Sequence, residues 1–290
     1  MIPIIPTQLR IWQQNLNKSL TSQLHLINTA HPNDWDVLIL QEPWMGHTGT
    51  RSSPHWIVQY PNTYFSDRSK TLRSLIFINS NISTNSYEQI HFDSTDVTGI
   101  HLTHDTHKII LINIYNDCNH NNAIETVSEF LSQKFPDDHI PDDTHVIFAG
   151  DFNRHHAWWE DDHNTHLTSS ETSLQPLLDL IYRFDFRMAL PPKRPTLQAL
   201  STGNWTRPDN VWCTSHTLDL FIRCDTDPGK RGPNTDHLPI LSTLDTRVIR
   251  NEKTPTRNFW ATIWDEFTDN LETLLSNRSE PKRLESDEEF

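Results

Sequence analysis

Three short stretches of this chain end or open an apolar run with residues able to hold a cation or move a proton. Val146-Ile147-Phe148-Ala149-Gly150-Asp151-Phe152-Asn153 delivers an Asp and an Asn, and Val37-Leu38-Ile39-Leu40-Gln41-Glu42-Pro43 ends in a carboxylate. Thr235-Asp236-His237-Leu238-Pro239-Ile240 places an Asp and a His at the start of a further run. A strand alternates its side chains, so Asp151 and Asn153 are expected on one face and Phe152 on the other. Carboxylates gathered at strand ends repel one another unless a divalent cation joins them. Mg2+ prefers oxygen ligands and keeps several waters, so a few carboxylates with amide neighbours suit it better than a His/Cys cage. Such an ion polarises a phosphoryl oxygen, supplies an activated water and steadies the leaving oxygen, which is what phosphodiester hydrolysis requires. Taken singly, each acid reads more simply as a surface residue or a turn cap. The ordered recurrence of polar residues at several strand ends favours a site.

The elements that must position these residues are short. Apolar runs at Leu9 to Trp12, Val37 to Leu40, Leu75 to Ile78, Ile109 to Ile114, Val146 to Phe148, Val211 to Cys213, Leu218 to Ile222 and Leu238 to Leu241 have the length and β-branched content of strands. Helical spacing appears between them: Ile124, Val127, Phe130 and Leu131 within Ala123 to Phe135, and Leu174, Leu177, Leu178 and Ile181 within Ser173 to Phe184. Many strands with a few helices predict a mixed fold with sheets at its centre. After Leu244 the character changes. Trp260, Trp264, Phe267, Leu271 and Leu274 mark an amphipathic helix from Asn258 to Leu275, and Glu285-Ser286-Asp287-Glu288-Glu289 reads as a solvated acidic tail. The chain therefore divides into a domain over 7–246 and a C-terminal helix and tail over 247–290.

Bulk properties narrow the class. A chain of 290 residues can bury a sizeable core, and no apolar run approaches the ~20 residues needed to span a bilayer. The N-terminus is interrupted by Pro3 and Pro6 and has no basic region, so it is a poor signal peptide. Three cysteines, Cys118, Cys213 and Cys224, cannot all pair and show no metal-ligand spacing, which points to a reducing, intracellular compartment. The net charge of −14 argues against broad electrostatic adhesion to nucleic acid, so bound cations and local basic patches would have to offset it. Arg154, Arg207, Lys230 and Arg231 are the candidates for contact with phosphate near the cleft. Of the neighbouring residues, His155 and His156 read as structural, and at least one of Trp158 and Trp159 as core.

In motif order, the stretch from Leu9 to Leu244 resembles the endonuclease/exonuclease/phosphatase family, the fold of DNase I, exonuclease III and apurinic endonucleases. The opening strand ending in Asn is matched by Leu9 to Asn15, the metal-binding Glu by Leu40-Gln41-Glu42, and the mid-chain Tyr by Ile112-Asn113-Ile114-Tyr115-Asn116. The Gly-Asp-Phe-Asn block stands complete at Gly150 to Asn153, and the closing Ser-Asp-His block appears as Thr235-Asp236-His237. A further Asp is required before the closing block, and both Asp209 and Asp219 offer themselves. Asp209 is preferred because Thr206-Arg207-Pro208-Asp209 resembles the family's Ser/Thr-Arg-x-Asp ahead of an apolar strand. Asn17, where apurinic endonuclease relatives often carry an Asp, points away from dedicated abasic-site repair. Within the family, Gln41-Glu42-Pro43-Trp44 and Gly150 to Trp159 look like the endonuclease domain of non-LTR retrotransposons, although no Tyr-x-Asp-Asp string of a reverse transcriptase is present.

The resemblance implies an α+β fold, a four-layer αββα sandwich with the site at one edge of the two sheets. It implies that Asn15, Glu42 and Asp236 hold Mg2+, with Mn2+ as the alternative, and that Asp151 takes a proton from the attacking water. Asn153 and Tyr115 would donate to the scissile phosphate, and His237, oriented by Asp209, would contact or protonate a phosphate oxygen. The expected partner is DNA, nicked to leave a 3′-hydroxyl, with no membrane and no obligate protein partner beyond what the C-terminal helix could support. A nuclear location follows from that substrate. The competing readings are a phosphoesterase of the same fold acting on RNA, abasic DNA, a phosphoinositide or a lipid, and a non-catalytic nucleic-acid-binding remnant.

Overall fold

Runs of β-branched and aromatic residues punctuated by Asn, Asp, Pro and Ser give short strands, and in the computed structural model these assemble into two large sheets. The structure describes residues 7–67, 70–104, 107–164, 166–246 and 263–276. In chain order the strands of the first half are β1 (Gln8–Asn15), β2 (Val37–Gln41), the short β3 (Met45–Gly46) and β4 (Gly49–Thr50), β5 (Trp56–Gln59), β6 (Ser74–Asn79), β7 (Tyr87–Ile90), β8 (Val97–His104) and β9 (His107–Tyr115). Those of the second half are β10 (Thr144–Asp151), β11 (Phe186–Met188), β12 (Leu197–Gln198), β13 (Trp205–Thr206), β14 (Asp209–Thr214), β15 (Phe221–Thr226) and β16 (Ile240–Asp245). The helices are α1 (Leu20–Thr29), α2 (Asn122–Lys134), α3 (Glu171–Arg183) and α4 (Trp264–Ser276). One six-stranded sheet has the order β15-β16-β1-β2-β6-β5 and the other β11-β14-β10-β9-β8-β7.

Alternation within single strands builds the layers. Ile11, Ile39, Ile76, Leu111, Ile147 and Val211 face one another between the sheets, while the residues beside them face outward. Trp12, Leu38, Leu40 and Phe77 pack against Leu26 of α1, and Ile110, Ile112, Val146 and Phe148 pack against Ile124 and Val127 of α2 and Leu177 and Ile181 of α3. Both faces of each sheet are covered, which is why the strands read as continuous apolar runs. The result is the four-layer αββα sandwich. α1 starts at Ser19, whose hydroxyl accepts from the Ser22 amide at 3.1 Å, and α3 starts at Ser170 in the same manner.

Two expected strands are displaced. Leu218 to Ile222 reads as one strand, but Ser215–Leu220 is a 3-10 turn and β15 begins only at Phe221. The chain must leave one sheet after β14 and enter the other at β15, and the turn makes that crossing while burying Leu220 and exposing Leu218 and Asp219. β16 likewise begins at Ile240 and not Leu238, because Pro239 has no N–H to donate to a ladder.

Register then brings the polar strand ends abreast. In one sheet Asn15 pairs with Gln41 across the parallel β1–β2 ladder. In the other, Asp151 pairs with Tyr115 in parallel and with Asp209 antiparallel. Gly150 makes this register possible: its φ is +152°, and a Cβ there would lie 1.9 Å from the Ile114 carbonyl oxygen. Gly150→Ala should therefore destabilise the domain by roughly 3 kcal/mol or more, read as a lower urea midpoint, since both the backbone conformation and a ladder carbonyl stand against a methyl. An unchanged midpoint would contradict this packing.

The chain divides into two compact units, Met1–Val248 and Ile249–Phe290. In the second, α4 carries Trp264, Phe267, Leu271, Leu274 and Leu275 exposed, as is Ile263 just before it, with Asp265, Glu266, Asp269 and Glu272 between them. The expected start of this helix at Asn258 and the acidic tail lie outside the described residues.

Candidate active site

Every expected site residue sits at or just beyond a strand end, and the mouth of the two sheets is where these ends meet. Asp151 is the last residue of β10 and is 2 % exposed. Its Oδ2 accepts from Asn15 Nδ2 at 2.9 Å, which bridges the two sheets, and its Oδ1 accepts from the Asn153 amide at 3.0 Å. Strand alternation is therefore not what keeps Asp151 and Asn153 together: β10 has already ended, and Asn153 turns at φ +48° in an Asx-type turn. The Asn153 side chain in turn donates to the Asn116 carbonyl at 2.8 Å. Burial, then the charge of Asp209, lift the Asp151 carboxyl to about 7, against the pull of His237, Asn15 and Asn153.

His237 and Asp209 form the second half of the centre. His237 Nδ1 lies 2.8 Å from Asp209 Oδ2, and its Nε2 lies 3.9 Å from both Asp151 Oδ2 and Asp236 Oδ1. Burial opposes the imidazolium, but Asp209, Asp151 and Asp236 outweigh it and raise His237 to about 10. Asp209 is fully buried and receives further donors, Thr196 Oγ1 at 2.8 Å and Gln13 Nε2 at 3.2 Å. The competing candidate, Asp219, stands exposed in the 3-10 turn. Thr235 keeps the role a Ser would have: its hydroxyl donates to the Asn15 carbonyl at 2.8 Å and accepts from the His237 amide at 3.2 Å.

Glu42 and Tyr115 face the same mouth. Glu42 follows β2 at φ +44°, and its Oε1 pairs with Lys18 Nζ at 2.9 Å. Burial, then the charges of Glu42 and Asp151, push the Tyr115 phenol well above its ordinary value. The Arg73 guanidinium lies 4.6 Å from the centre of the Tyr115 ring.

Sequence reasoning missed the polar seam beneath these groups. Gln13 Nε2 donates to Gln41 Oε1 at 3.0 Å, and Gln41 Nε2 to Asn113 Oδ1 at 2.6 Å. Asn113 Nδ2 then reaches the carbonyls of Leu40 and Leu75, both at 2.8 Å. This buried amide chain links one sheet to the other and ends on Asp209. The signal was present, since Asn113 falls inside an apolar run and Gln13 and Gln41 directly follow two others, where a buried polar residue needs a partner.

Two expected phosphate contacts are corrected. Arg154 is 1 % exposed and donates to the carbonyls of Ser173, Asn153 and His120 at 2.8, 2.8 and 2.9 Å and to Asn121 Oδ1 at 2.6 Å. Arg207, also 1 % exposed, donates to the Leu190 carbonyl at 2.8 Å and to Asn210 Oδ1 at 2.6 Å. Both guanidiniums are buried among backbone carbonyls and an Asn side chain each, so neither faces an incoming phosphate. Lys230 pairs with Asp227 at 2.7 Å and Arg231 with Gln198 Oε1 at 3.1 Å. Trp159 is core and Trp158 is exposed. His155 pairs with Glu160 at 2.5 Å, away from the centre.

The donor set fits a hard divalent cation. Among the described residues, ligand atoms of Asp151, Asp209 and His237 gather within 4.8 Å of one another; Glu42 and Asp236, the two carboxylates expected to hold the cation, stand outside that group. Asp209 and His237 Nδ1 are engaged with each other, which leaves Asp151, Asp236, Glu42 and Asn15 as oxygen donors. Such a set suits an ion that takes a few carboxylates and keeps its remaining waters.

The sandwich, with acids and a His–Asp pair at the shared mouth of its sheets, defines a DNase I-like protein. Residues 109–241 match the endonuclease-reverse transcriptase family, a span that contains Tyr115, Asp151, Asn153, Asp209, Asp236 and His237 but not Asn15 or Glu42. Similar folds include the endonuclease domain of TRAS1, a telomere-specific non-LTR retrotransposon, with TM-score 0.64 and 17% identity over 82% of this chain and 98% of that one. The AP endonuclease LMAP of Leishmania major has TM-score 0.63 and 13% identity over 82% and 88%, and an AP endonuclease of Archaeoglobus fulgidus 0.59 and 16% over 82% and 99%. No curated protein matches the sequence. The chain thus has the DNase I-like fold of the endonuclease/exonuclease/phosphatase proteins.

Proposed function

We propose that this chain is a divalent-metal-dependent endonuclease that nicks DNA in the manner of non-LTR retrotransposon endonucleases, leaving a 3′-hydroxyl. The observation that carries the reading is the Asp151 carboxylate, held by Asn15 and Asn153 within 3.9 Å of a His237 that Asp209 orients. Glu42, Asp236 and Asn15 are the residues that would hold a Mg2+ or Mn2+, which would supply Lewis-acid polarisation of the phosphate. Asp151, with a carboxyl lifted toward neutrality, takes the proton of the attacking water. Tyr115 and Asn153 donate hydrogen bonds to phosphate oxygens as charge develops there. His237, fixed in orientation by Asp209, whose charge favours the imidazolium, contacts a phosphate oxygen or returns a proton to it. The likeness to the TRAS1 endonuclease domain supports DNA as substrate, and a nuclear location follows from that substrate. No helix among the described residues is long and apolar enough to cross a membrane.

The test is supercoiled plasmid with wild-type protein and Glu42→Ala in Mg2+, Mn2+ or EDTA, beside an abasic oligonucleotide and a phosphoinositide. The expected result is metal-dependent open circles, weakened about 100-fold by Glu42→Ala. Turnover of the phosphoinositide without nicking would assign the fold to another phosphoester, and no turnover by a folded, cation-binding protein would leave a binding remnant.

A further inference from the structure

Arg73, the residue before β6, belongs to none of the motifs that define the family, yet separate atoms of it reach two groups of the site. Its backbone carbonyl accepts from the Glu42 amide at 2.9 Å, and its own amide donates to the Thr95 carbonyl at 3.1 Å. Its guanidinium bonds Asp96 twice, at 2.8 and 2.5 Å, pairs with Asp117 as well, and lays its face on the Tyr115 ring at 4.6 Å. The Tyr115 amide closes the loop by donating to the Asp96 carbonyl at 2.9 Å. Asp117 is itself fixed by the Asn119 amide at 2.9 Å, and that bond and the one from Arg73 hold its carboxyl at about 2.

Two things about this arrangement exceed what stability needs. Glu42 stands in the left-handed region at φ +44°, where a side chain is held only if the backbone around it is fixed, and Arg73 supplies the carbonyl that fixes it. The Tyr115 phenol is crowded by the negative charges of Glu42 and Asp151, and Arg73 is the cation that acts on it. The first contact is made by backbone; the second needs a guanidinium, whose planar fork takes two carboxylates while its face remains free for a ring. A lysine ammonium has no such face.

We propose that Arg73 is a positioning residue whose guanidinium, tied to Asp96 and Asp117, locks the Tyr115 ring so that the phenol addresses the phosphate. This rests on the phosphodiesterase reading of the site. Arg73 touches no reacting atom; its effect runs through Tyr115.

A double-mutant cycle on plasmid nicking tests the role, using Arg73→Met, Tyr115→Phe and the pair, with Arg73→Lys and Asp117→Asn alongside. Arg73→Met should lower kcat about 30-fold with KM nearly unchanged, as expected when a phosphate contact is misplaced and not removed. In the Tyr115→Phe background the same change should lower kcat less than about threefold, because the hydroxyl it positions is gone. Arg73→Lys should fail to restore turnover. Asp117→Asn leaves Asp96 in place and should give a milder loss with the same dependence on Tyr115, so it carries the cycle if Arg73→Met does not fold. Equal losses in both backgrounds, or full activity of Arg73→Lys, would overturn the role while leaving the nuclease reading intact. Absence of nicking by the folded wild type would overturn that reading and the role with it.

Discussion

Asp151→Asn should reduce phosphodiester cleavage by about three orders of magnitude or more while the fold persists. The side chain is a near-isostere, but the chemistry around it is built for two acceptor oxygens: Asn15 Nδ2 donates to one and the Asn153 amide to the other. An amide can offer only one acceptor, and Asn15 resists flipping because its Oδ1 already accepts from the Asn17 amide at 2.8 Å. The general base is lost as well. The same substitution should alter the pH dependence of stability. Burial and Asp209 raise the Asp151 carboxyl to about 7. A group raised by folding contributes its full stability below its unfolded value, near 4, and loses it as pH rises through about 7. The cation-free wild type should thus lose stability between these limits through Asp151, and the variant should not. Thermal melts at pH 5 and pH 8 without divalent cation should show the variant gaining on the wild type at the higher pH. Added Mg2+ should then raise the wild-type melting temperature more than that of the variant. Retained nicking by Asp151→Asn would remove Asp151 from the centre.

Asp209→Asn should lower cleavage by about 100- to 10,000-fold, while Asp219→Ala stays within about threefold of wild type. The range follows from other His–carboxylate pairs, in which an amide in place of the acid leaves the geometry and reverses the favoured tautomer. The contrast follows from placement: Asp209 is fully buried and receives His237, Thr196 and Gln13, whereas Asp219 is on an exposed turn. His237, raised to about 10 mainly by Asp209 against burial, contributes stability that is complete below its unfolded value near 6.5 and is lost as pH rises toward about 10. The melting temperature of Asp209→Asn should therefore fall further below wild type at pH 6 than at pH 9. Chemical shifts of the His237 ring would read the same change directly. A harmless Asp209→Asn beside a crippling Asp219→Ala would reverse the assignment.

What the sequence determined by itself is local. Runs such as Val146 to Phe148 and Ile109 to Ile114 carry apolar residues on both faces of a strand, and that pattern requires covered sheets whatever the partners are. Gly150-Asp151-Phe152-Asn153 fixes an apolar run that ends in two polar side chains, although the turn at Asn153 reads in sequence as continued strand. The order of such motifs along the chain carried the family resemblance, and it was that resemblance that implied the sandwich. Tertiary structure decided the distances. Asn15 meets Asp151 across 136 residues and Gln13 meets Asp209 across 196, and these contacts depend on strand order and register that no local pattern encodes. The same is true of charge: Arg154 and Arg207 look in sequence like phosphate contacts beside acidic motifs, and become buried clamps because loop carbonyls surround them. Arg73 shows the converse. Its neighbours in sequence predict nothing, and its place between Glu42, Asp96, Asp117 and Tyr115 exists only once two sheets have closed on one edge.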